Sequence, residues 1–362
     1  MSHRESLKII FIFCLLTSVQ ALCENDSTPK IKFRTEGLAE TYFVYDFTSP
    51  KQEFRPGFYY NHHVNNQPGL NLALFRFAAD YSRFKTSIGV MTGSYASANL
   101  ADEPNWSQHM YEANISFQLL KNKQLWLQTG IFNSHIGFES AIAADCYTLT
   151  RSLAADNSPY YETGVKLNYK TKNEKWEYNL LLLNGWQQMP NFNRSFKPSL
   201  GFQMLYSYKK YTFNYSNYIG NEGTTGMPQW RFFNNFYLIA KPHKSVSLIL
   251  ALDVGLQYHA IKKNTAFWYT PQAVVKYRLT KALDLVGRIE HYADRNAVVT
   301  LPYKNAALNL LGASMNLDFK FFKSLMLRVE IKQLYNVDPI FINDQLMSRY
   351  NLSAATSLSV RF

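Results

Sequence analysis

Apolar and polar residues alternate along most of this chain with a period of two. In residues 245–257, the stretch SVSLILALDVGLQ places six aliphatic side chains at every second position, with Asp253 and Gln257 on the other face. Residues 161–170 and 325–332 repeat the arrangement, with charged groups facing one way and branched or aromatic side chains the other. A membrane-crossing β-strand needs about 9 to 11 such residues, whereas ordinary strands average about 5 or 6.

About sixteen segments of this kind predict an all-β fold, a transmembrane antiparallel β-barrel with about 14 to 18 strands. They begin near residues 37, 69, 83, 108, 124, 160, 174, 198, 210, 230, 243, 267, 281, 305, 323 and 350. Short turns such as residues 121–123, 209–210 and 280–281 alternate with longer polar loops such as residues 189–197 and 293–304. Outer-membrane barrels show this asymmetry between periplasmic turns and outer loops.

The final segment, NLSAATSLSVRF, keeps the alternation up to the last residue. Leu358, Val360 and Phe362 fall on one face, and Ser357 and Ser359 fall on the other. In a closed barrel the last strand pairs with the first, so Phe362 is expected at the periplasmic rim, facing lipid. A terminal aromatic in this register also resembles the signal that bacterial barrel-assembly machinery recognises. We therefore assign Phe362 as a candidate insertion signal.

Residues 1–23 are predicted to be a signal peptide that directs Sec export. Arg4 and Lys8 precede an apolar run that is too short to span a bilayer as a helix. Cleavage after Ala21 or after Cys23 would leave small residues at the positions that the peptidase reads. The barrel domain is then predicted to occupy residues 24–362.

Composition supports a membrane location. Aromatic residues make up 16% of the chain and charged residues only 18%, below the roughly 25% of ordinary globular domains. A barrel uses aromatic rings against lipid and as girdles at both interfaces. An aromatic-rich secreted sandwich or propeller would share this composition, and the length of the alternating segments decides against it. With only three cysteines, no disulfide framework is expected.

The most distinctive motif lies in residues 129–169. It reads GIFNSHIGFES, then LTRSL, then DNSPYYETGVKL, and it resembles the OmpL-like β-barrel porin family found in Bacteroidetes. The matching positions are Gly130, Phe132, His135, Ile136, Gly137, Glu139, Thr150, Arg151, Ser152, Ser158, Pro159, Tyr160, Glu162, Thr163 and Gly164. The resemblance implies a single-domain outer-membrane barrel with pore activity, and it brings no defined substrate chemistry.

Within this motif, about 25 residues separate the fifth strand from the sixth, which is long for an ordinary connection. The segment mixes apolar side chains with the charged residues Glu139, Asp145, Arg151 and Asp156. Such a mixture suits a loop folded into the lumen, where apolar groups anchor it and charges line a constriction. Three interpretations stay open: a pore constriction built from these four residues, a structural cap at the rim or a subunit contact, and a specific ligand site.

The chain is basic, with a net charge of +12. About sixteen strands enclose a water-filled lumen, and alternation assigns a basic excess to its wall: Lys166, Lys170, Arg231, Lys276, Arg278, Arg288, Arg328 and Lys332. Rings of charge bias ion selectivity, so a weak anion preference is expected. The alternative is that these residues simply face the water of any polar lumen. Basic residues near the outer rim are candidates for binding lipopolysaccharide phosphates.

These features predict a Gram-negative outer-membrane porin for passive diffusion of small hydrophilic solutes. No nucleic-acid partner is expected without a basic cluster, and no cofactor or metal site follows from scattered histidines. Oligomeric state stays open, including a homo-oligomer. Two other functions are alternatives: an adhesin or scaffold that acts through its outer loops, and a lipid-modifying enzyme using His291, or His135 beside Ser134.

Overall fold

The computed structural model describes residues 30–190, 198–223, 227–259, 263–299, 308–343 and 346–362. The predicted signal peptide, residues 1–23, lies outside the described residues, as do parts of the outer loops expected at residues 189–197 and 293–304. In the ranges that are described, no helix is both long enough and apolar enough to cross a membrane.

Within these ranges, sixteen antiparallel strands close into one barrel. They are β1 (Lys32–Asp46), β2 (Gly69–Tyr81), β3 (Phe84–Thr92), β4 (Met110–Gln118), β5 (Gln124–Asn133), β6 (Tyr161–Lys170), β7 (Trp176–Leu183), β8 (Ser199–Tyr208), β9 (Tyr211–Asn221), β10 (Trp230–His243), β11 (Val246–His259), β12 (Asn264–Arg278), β13 (Leu283–Asp294), β14 (Leu308–Lys320), β15 (Leu325–Asn336) and β18 (Tyr350–Arg361). A small hairpin of β16 (Phe341–Asn343) and β17 (Leu346–Ser348) precedes the last strand. Short helical segments occur at Ser94–Asn99, Ala143–Asp145 and Leu153–Asp156.

The predicted barrel of about sixteen strands is confirmed, and the predicted strand starts fall within five residues of the observed ones. The largest difference is in β1, which begins at Lys32 rather than near residue 37. The first residues of β1 that face the lumen are polar. Among them, Arg34 pairs with Asp80 of β2 at 2.9 Å between Nη1 and Oδ2. This ion pair extends the β1–β2 ladder beyond the apolar pattern.

The last strand closes the barrel by pairing with the first. β18 and β1 pair from Arg361 opposite Leu38 to Ser353 opposite Asp46. Leu358 on β18 is exposed on the outer surface, whereas Ser353 is buried inside. Phe362 continues the outward face and is 80% exposed, and its backbone nitrogen donates to the carbonyl oxygen of Gly37 at 2.9 Å. The alternation predicted for this strand is therefore present in the structure.

The two ends of the barrel differ. Both described chain ends lie at the rim that carries the short turns, and the long connections lie at the opposite rim. Two of those connections, residues 47–68 and 134–160, fold inside the barrel. Arg55 in the first donates to the hydroxyl of Ser353 at 3.3 Å, and Arg328 on the inner wall donates to a carbonyl of the second at 2.7 Å. Chain segments therefore occupy part of the lumen.

Candidate functional site

The site is built around residues 134–160, which we call the inner loop. Its first turn is fixed to the wall at β8 and β9, because the carbonyl oxygen of His135 accepts two hydrogen bonds. One comes from Nε2 of Gln203 at 2.9 Å and the other from Oγ of Ser216 at 2.7 Å. Both donors are buried polar residues on inward-facing positions. The main chain of the loop is therefore hydrogen-bonded to the barrel wall at the point where the loop enters the lumen.

Arg328 holds the middle of the inner loop against β15. Its fully buried guanidinium donates to the carbonyl oxygens of Ala143 at 2.7 Å, Tyr147 at 2.8 Å and Thr148 at 3.0 Å. The same group pairs with Asp318 at 2.7 Å. A guanidinium has five N–H donors in a planar fork and suits this combination of carbonyls and one carboxylate. Arg328 therefore fixes the loop backbone to the wall.

Neighbouring wall charges bind the next part of the loop. The carboxylate of Glu330 accepts from the backbone nitrogen of Thr150 at 2.6 Å, and Arg288 donates to the Thr150 carbonyl at 2.8 Å. Glu290 likewise accepts from the backbone nitrogen of Leu153 at 2.6 Å. Hydrogen bonds that involve an ionised partner are roughly twice as strong as neutral ones. The backbone of this part of the loop is therefore held by three charged side chains of the wall.

The turn at Ala143–Asp145 carries the loop to the far rim of the barrel. There the Asp145 carboxylate receives two bonds of 2.9 Å from Arg361 on the terminal strand. Arg361 also pairs with Glu36 of β1 through its Nε at 2.8 Å. The inner loop therefore extends from the rim of the long connections to the rim where the chain ends.

Arg151, one of the four residues predicted to line a constriction, lies inside the loop instead of facing an open channel. Its guanidinium is fully buried and donates to the carbonyl oxygens of Ser140 at 2.6 Å, Ala141 at 2.9 Å and Leu149 at 3.0 Å. These carbonyls belong to both halves of the loop. Arg151 thus braces the two halves against each other.

Glu139 and Asp156, also predicted for the constriction, are buried as well. Glu139 accepts from the backbone nitrogen of Ser152 at 3.1 Å, and Asp156 accepts from Nδ2 of Asn61 at 2.7 Å. Burial raises the pKa of both carboxyl groups above the ordinary range. Among the four predicted residues, Asp145 has the most accessible side chain, at 41% exposure.

The eight basic residues assigned to the lumen wall occupy inward positions of their strands, and most have partners there. Arg288, Arg328 and Lys332 are buried beneath the inner loop. The others contact rings or carboxylates: Arg231 lies over Trp186, Lys276 and Arg278 approach Asp284, Lys170 approaches Glu174, and Lys166 lies over Phe132. Three of the eight predicted positive charges therefore hold the inner loop against the wall, and the other five have ring or carboxylate partners of their own.

Open space remains beside the wall formed by β1 to β6 and the end of the terminal strand. This cavity, which we call the wall cavity, has a volume of about 650 Å³ and opens near the rim of the short turns. Lys166 is the member of the predicted basic set that lines it, together with Arg76 and Lys85, which the sequence interpretation missed. The alternation of β3 was the available signal for Lys85, because Lys85 and Ser87 share one face of that strand.

A second inward segment, residues 47–68, was also missed by the sequence analysis. Asn61 binds Asp156 of the inner loop, and Nε2 of His62 lies 3.2 Å from the carboxylate of Glu40 on β1. Both His62 and Glu40 are buried. The length of this connection and its five aromatic residues, Phe47, Phe54, Phe58, Tyr59 and Tyr60, were the available signal. The two inward segments support each other.

The residues considered for enzyme chemistry do not form a reactive group. His135 is buried, and its Nε2 lies 2.8 Å from the carbonyl oxygen of Asn217, while the hydroxyl of Ser134 donates to Glu162 at 3.2 Å. Burial lowers the pKa of His135 to about 4. His291 pairs with an amide oxygen of β14 at 2.7 Å. Among the described residues, no cluster of His, Cys, Asp or Glu is arranged to hold a metal ion.

Comparison with known proteins agrees with this architecture. Residues 32–362 match the family model described as putative beta-barrel porin-2, OmpL-like, which confirms the resemblance seen in the sequence. No curated protein sequence matches the chain significantly.

Solved structures share the fold at low sequence identity. An anion-selective porin from Comamonas acidovorans has a TM-score of 0.61 at 8% identity, over 92% of this chain and 100% of that one. The outer membrane channel DcaP of Acinetobacter baumannii has a TM-score of 0.59 at 10% identity, over 92% and 97%. The trimer form of OmpT, an outer membrane protein of Vibrio cholerae, has a TM-score of 0.57 at 10% identity, over 92% and 99%.

Proposed function

Because the chain belongs to the family of putative OmpL-like β-barrel porins, we propose that it is an outer-membrane porin for passive diffusion of small hydrophilic solutes. One observation carries this proposal: a closed sixteen-stranded barrel keeps a polar cavity of about 650 Å³ beside its inner loop. Barrels of about sixteen strands are wide enough to enclose an aqueous channel. The inner loop would narrow that channel to the side of β1 to β6.

We also propose a weak preference for anions. The wall cavity is lined by five basic side chains and three acidic ones: Arg34, Arg76, Lys85, Lys166 and Arg361 against Glu36, Asp80 and Glu112. An excess of one sign along a pore biases ion selectivity. The similar structure from Comamonas acidovorans is described as anion-selective, which supports the same direction.

For the constriction, we propose that it lies between the inner loop and the wall of β1 to β6. Arg361 lines the wall cavity, and Asp145 is its ion-pair partner; both side chains are more than one-third exposed. The enclosed side chains of Arg151, Glu139 and Asp156 would act indirectly, by setting the shape of the loop. This assignment keeps Asp145 as a pore charge and gives the other three predicted residues a structural part.

The cellular setting is inferred on the same basis. Residues 1–23 would direct Sec export and be removed, and the assembly machinery would recognise the terminal strand with Phe362. The exposed apolar residues of the strands would then contact outer-membrane lipid, and basic loop residues would contact lipopolysaccharide. A homo-oligomer is also proposed, since one similar structure is described as a trimer form.

Conductance in a planar lipid bilayer tests the porin function directly. Refolded barrel should insert in discrete current steps, with a reversal potential in a salt gradient that shows a slight anion preference. Folding would be verified beforehand by circular dichroism. A folded barrel without conductance steps would contradict diffusion through the lumen and favour the adhesin or scaffold function. Burial of His135 argues against lipid hydrolysis, and a lipase assay on the same sample tests that alternative.

A further inference from the structure

Four side chains of the wall cavity form one row across four neighbouring strands. Lys85 of β3 pairs in register with Ser116 of β4, Ser116 pairs with Gln128 of β5, and Gln128 pairs with Lys166 of β6. All four line the cavity. With strands about 4.8 Å apart, the Cα atoms of Lys85 and Lys166 are about 14 Å apart along the wall. Two amines therefore flank a hydroxyl and an amide along one row of the lumen wall.

The side-chain carboxylates that line the cavity already have arginine partners. Their closest ion pairs are 2.9 to 3.0 Å long and lie beside the lysine row: Arg76 with Glu36, Arg76 with Glu112, and Arg34 with Asp80. Arg76 is shared by two of the carboxylates and Arg361 also pairs with Glu36, so three arginines balance the three carboxylates of the cavity lining. The acidic side chains are thus engaged by groups other than the two lysines.

Lys85 and Lys166 have aromatic partners. Nζ of Lys85 lies 4.1 Å from the ring centre of Trp126, and Nζ of Lys166 lies 4.5 Å from that of Phe132. In the part of the chain that the structure describes, neither amine lies within ion-pair distance of a carboxylate. A ring attracts an ammonium group without neutralising it. The row consequently presents two ammonium groups, each positioned by an aromatic ring rather than by an ion pair.

We propose that this row binds an elongated, hydroxylated dicarboxylate, with one carboxylate at Lys85 and the other at Lys166. The hydroxyl groups of the solute would bond to Ser116 and Gln128. Nε2 of Gln128 donates to Asn114 at 2.8 Å, so its carbonyl oxygen is left to accept from the solute. Bonds between an ammonium and a carboxylate are charge-assisted and stronger than neutral ones. This inference rests on the proposed porin function, because the solute must enter the lumen to reach the row.

Three solutes with one carbon skeleton and different charge test the proposal: D-glucarate, a dianion, D-gluconate, a monoanion, and D-glucitol, which is neutral. Each would be added at fixed ionic strength to single channels in a planar bilayer, on the side of the short turns. The measured quantity is the concentration that halves the conductance. We expect D-glucarate to require the lowest concentration and D-glucitol the highest, since binding follows the number of carboxylates.

Single substitutions then test whether Lys85 and Lys166 form the binding site. Lys85→Gln and Lys166→Gln should each raise the half-blocking concentration of D-glucarate about tenfold, equivalent to about 1.4 kcal/mol, and leave D-glucitol unchanged. Lys166→Arg should keep the block within about threefold of the original, because it retains the charge. Lys170→Gln is the matched control: it removes the same charge from the same strand, but Lys170 pairs with Glu174 at 3.6 Å outside the cavity. This control should behave as the unaltered protein.

The outcomes separate the site from the porin function. Conducting channels in which D-glucarate blocks no better than D-gluconate would overturn the site and leave the porin function intact. Equal effects of Lys170→Gln and Lys166→Gln would also overturn it, by showing a diffuse charge effect. If the folded barrel does not conduct, calorimetric titration with D-glucarate decides: binding weakened by Lys166→Gln supports the site, and absence of binding contradicts it.

Discussion

Arg151 is the residue whose environment differs most from a pore-lining charge. Its guanidinium is enclosed by three loop carbonyls, those of Ser140, Ala141 and Leu149. A buried carbonyl that loses its donor costs about 1 to 3 kcal/mol. The stability of the folded loop should therefore depend strongly on this side chain. The same enclosure separates the charge from ions in the lumen. Arg151 should therefore influence the pore through the shape of the loop.

We predict that Arg151→Met increases the open-channel noise of single pores and destabilises the barrel by about 2 to 4 kcal/mol, because several buried carbonyls lose their donors. The reversal potential should change little. Urea denaturation followed by tryptophan fluorescence, together with bilayer recordings, measures both effects. Arg278→Met, at an arginine that is 54% exposed beside a short turn, is the matched control and should leave both unchanged. A large shift in ion selectivity with a quiet pore would instead place Arg151 in the ion path.

Because His135 is buried, we predict that docking of the inner loop depends on pH. Burial lowers the pKa of its imidazole from 6.5 to about 4, so the folded loop holds the neutral form. A lowered folded-state pKa means that this contribution to stability is present above pH 6.5 and is lost as the pH falls towards 4. We expect the loss to reach about 3 kcal/mol. Denaturation midpoints at several pH values measure it.

His135→Gln is the control for that titration. It removes the ionisable group, whose Nε2 lies 2.8 Å from the carbonyl oxygen of Asn217 and whose Nδ1 lies 3.7 Å from a carboxylate oxygen of Glu162. The difference in stability between the two proteins should then vary with pH between about 4 and 6.5, and stay constant above that range. A difference that does not depend on pH would show that His135 is not the titrating group.

At the scale of elements, the strands were predictable and the inner loop only in part. Strands such as β15 have a strict alternation because one face meets lipid and the other the lumen, and that demand is visible in sequence. The loop was recognisable from its length and its mixed composition. The contacts of the loop could not be predicted, because Arg328 and Arg151 bind backbone carbonyls. Every residue has such a carbonyl, so the sequence does not show which ones are bound. For the same reason, a sequence cannot distinguish a charge in the pore from one that braces a loop.

The tip of the inner loop offers a test of how this element is held. Asp145 is joined to Arg361 by two bonds of 2.9 Å, in a partly exposed position. Exposed ion pairs contribute at most about 1 kcal/mol, so Asp145→Asn should barely change the denaturation midpoint. It should nevertheless free the tip and raise the anion preference, since it also removes a negative charge from the cavity edge. Reversal potential and current noise measure these effects.

Two comparisons make the Asp145 result interpretable. Asp145→Glu keeps the charge and should keep the ion selectivity close to that of the unaltered protein. High salt screens partly exposed pairs, so the difference between Asp145→Asn and the original should shrink in concentrated salt. An unchanged reversal potential for Asp145→Asn at low salt would remove Asp145 from the constriction.

At the scale of the whole molecule, the inner loop packs against more than one part of the barrel wall. Arg288 and Arg328 of β13 and β15 are buried beneath it. Ile142 of the loop belongs to one hydrophobic cluster with Leu38 of β1 and Tyr111 of β4. A strand count alone would suggest a wide channel. The inward segments change that expectation, because they occupy part of the lumen, and open space remains at the wall cavity beside β1 to β6.

Closure of the barrel depends on the terminal strand, which makes Phe362 a test of assembly. Phe362 is 80% exposed on the outer face, and its ring lies against Gly37 of β1, where an added Cβ would come within 2.4 Å of the ring. We predict that Phe362→Asp prevents assembly in cells while refolding in detergent still succeeds. The energetic cost should be small, because acidic residues near a membrane interface cost less than the roughly 2 to 4 kcal/mol of a midplane arginine.

Tyr350→Asp is the control that separates recognition from energetics. Tyr350 is an outward aromatic residue at the opposite end of the same strand and is 55% exposed, so its replacement alters the lipid-facing surface in the same chemical way. We expect Tyr350→Asp to leave outer-membrane levels nearly unchanged, because the machinery would recognise the end of the strand rather than its total aromatic content. Immunoblots of outer-membrane fractions and heat-modifiability on gels measure assembly. Normal levels of the Phe362→Asp protein, or equal losses from both substitutions, would show that Phe362 is not the insertion signal.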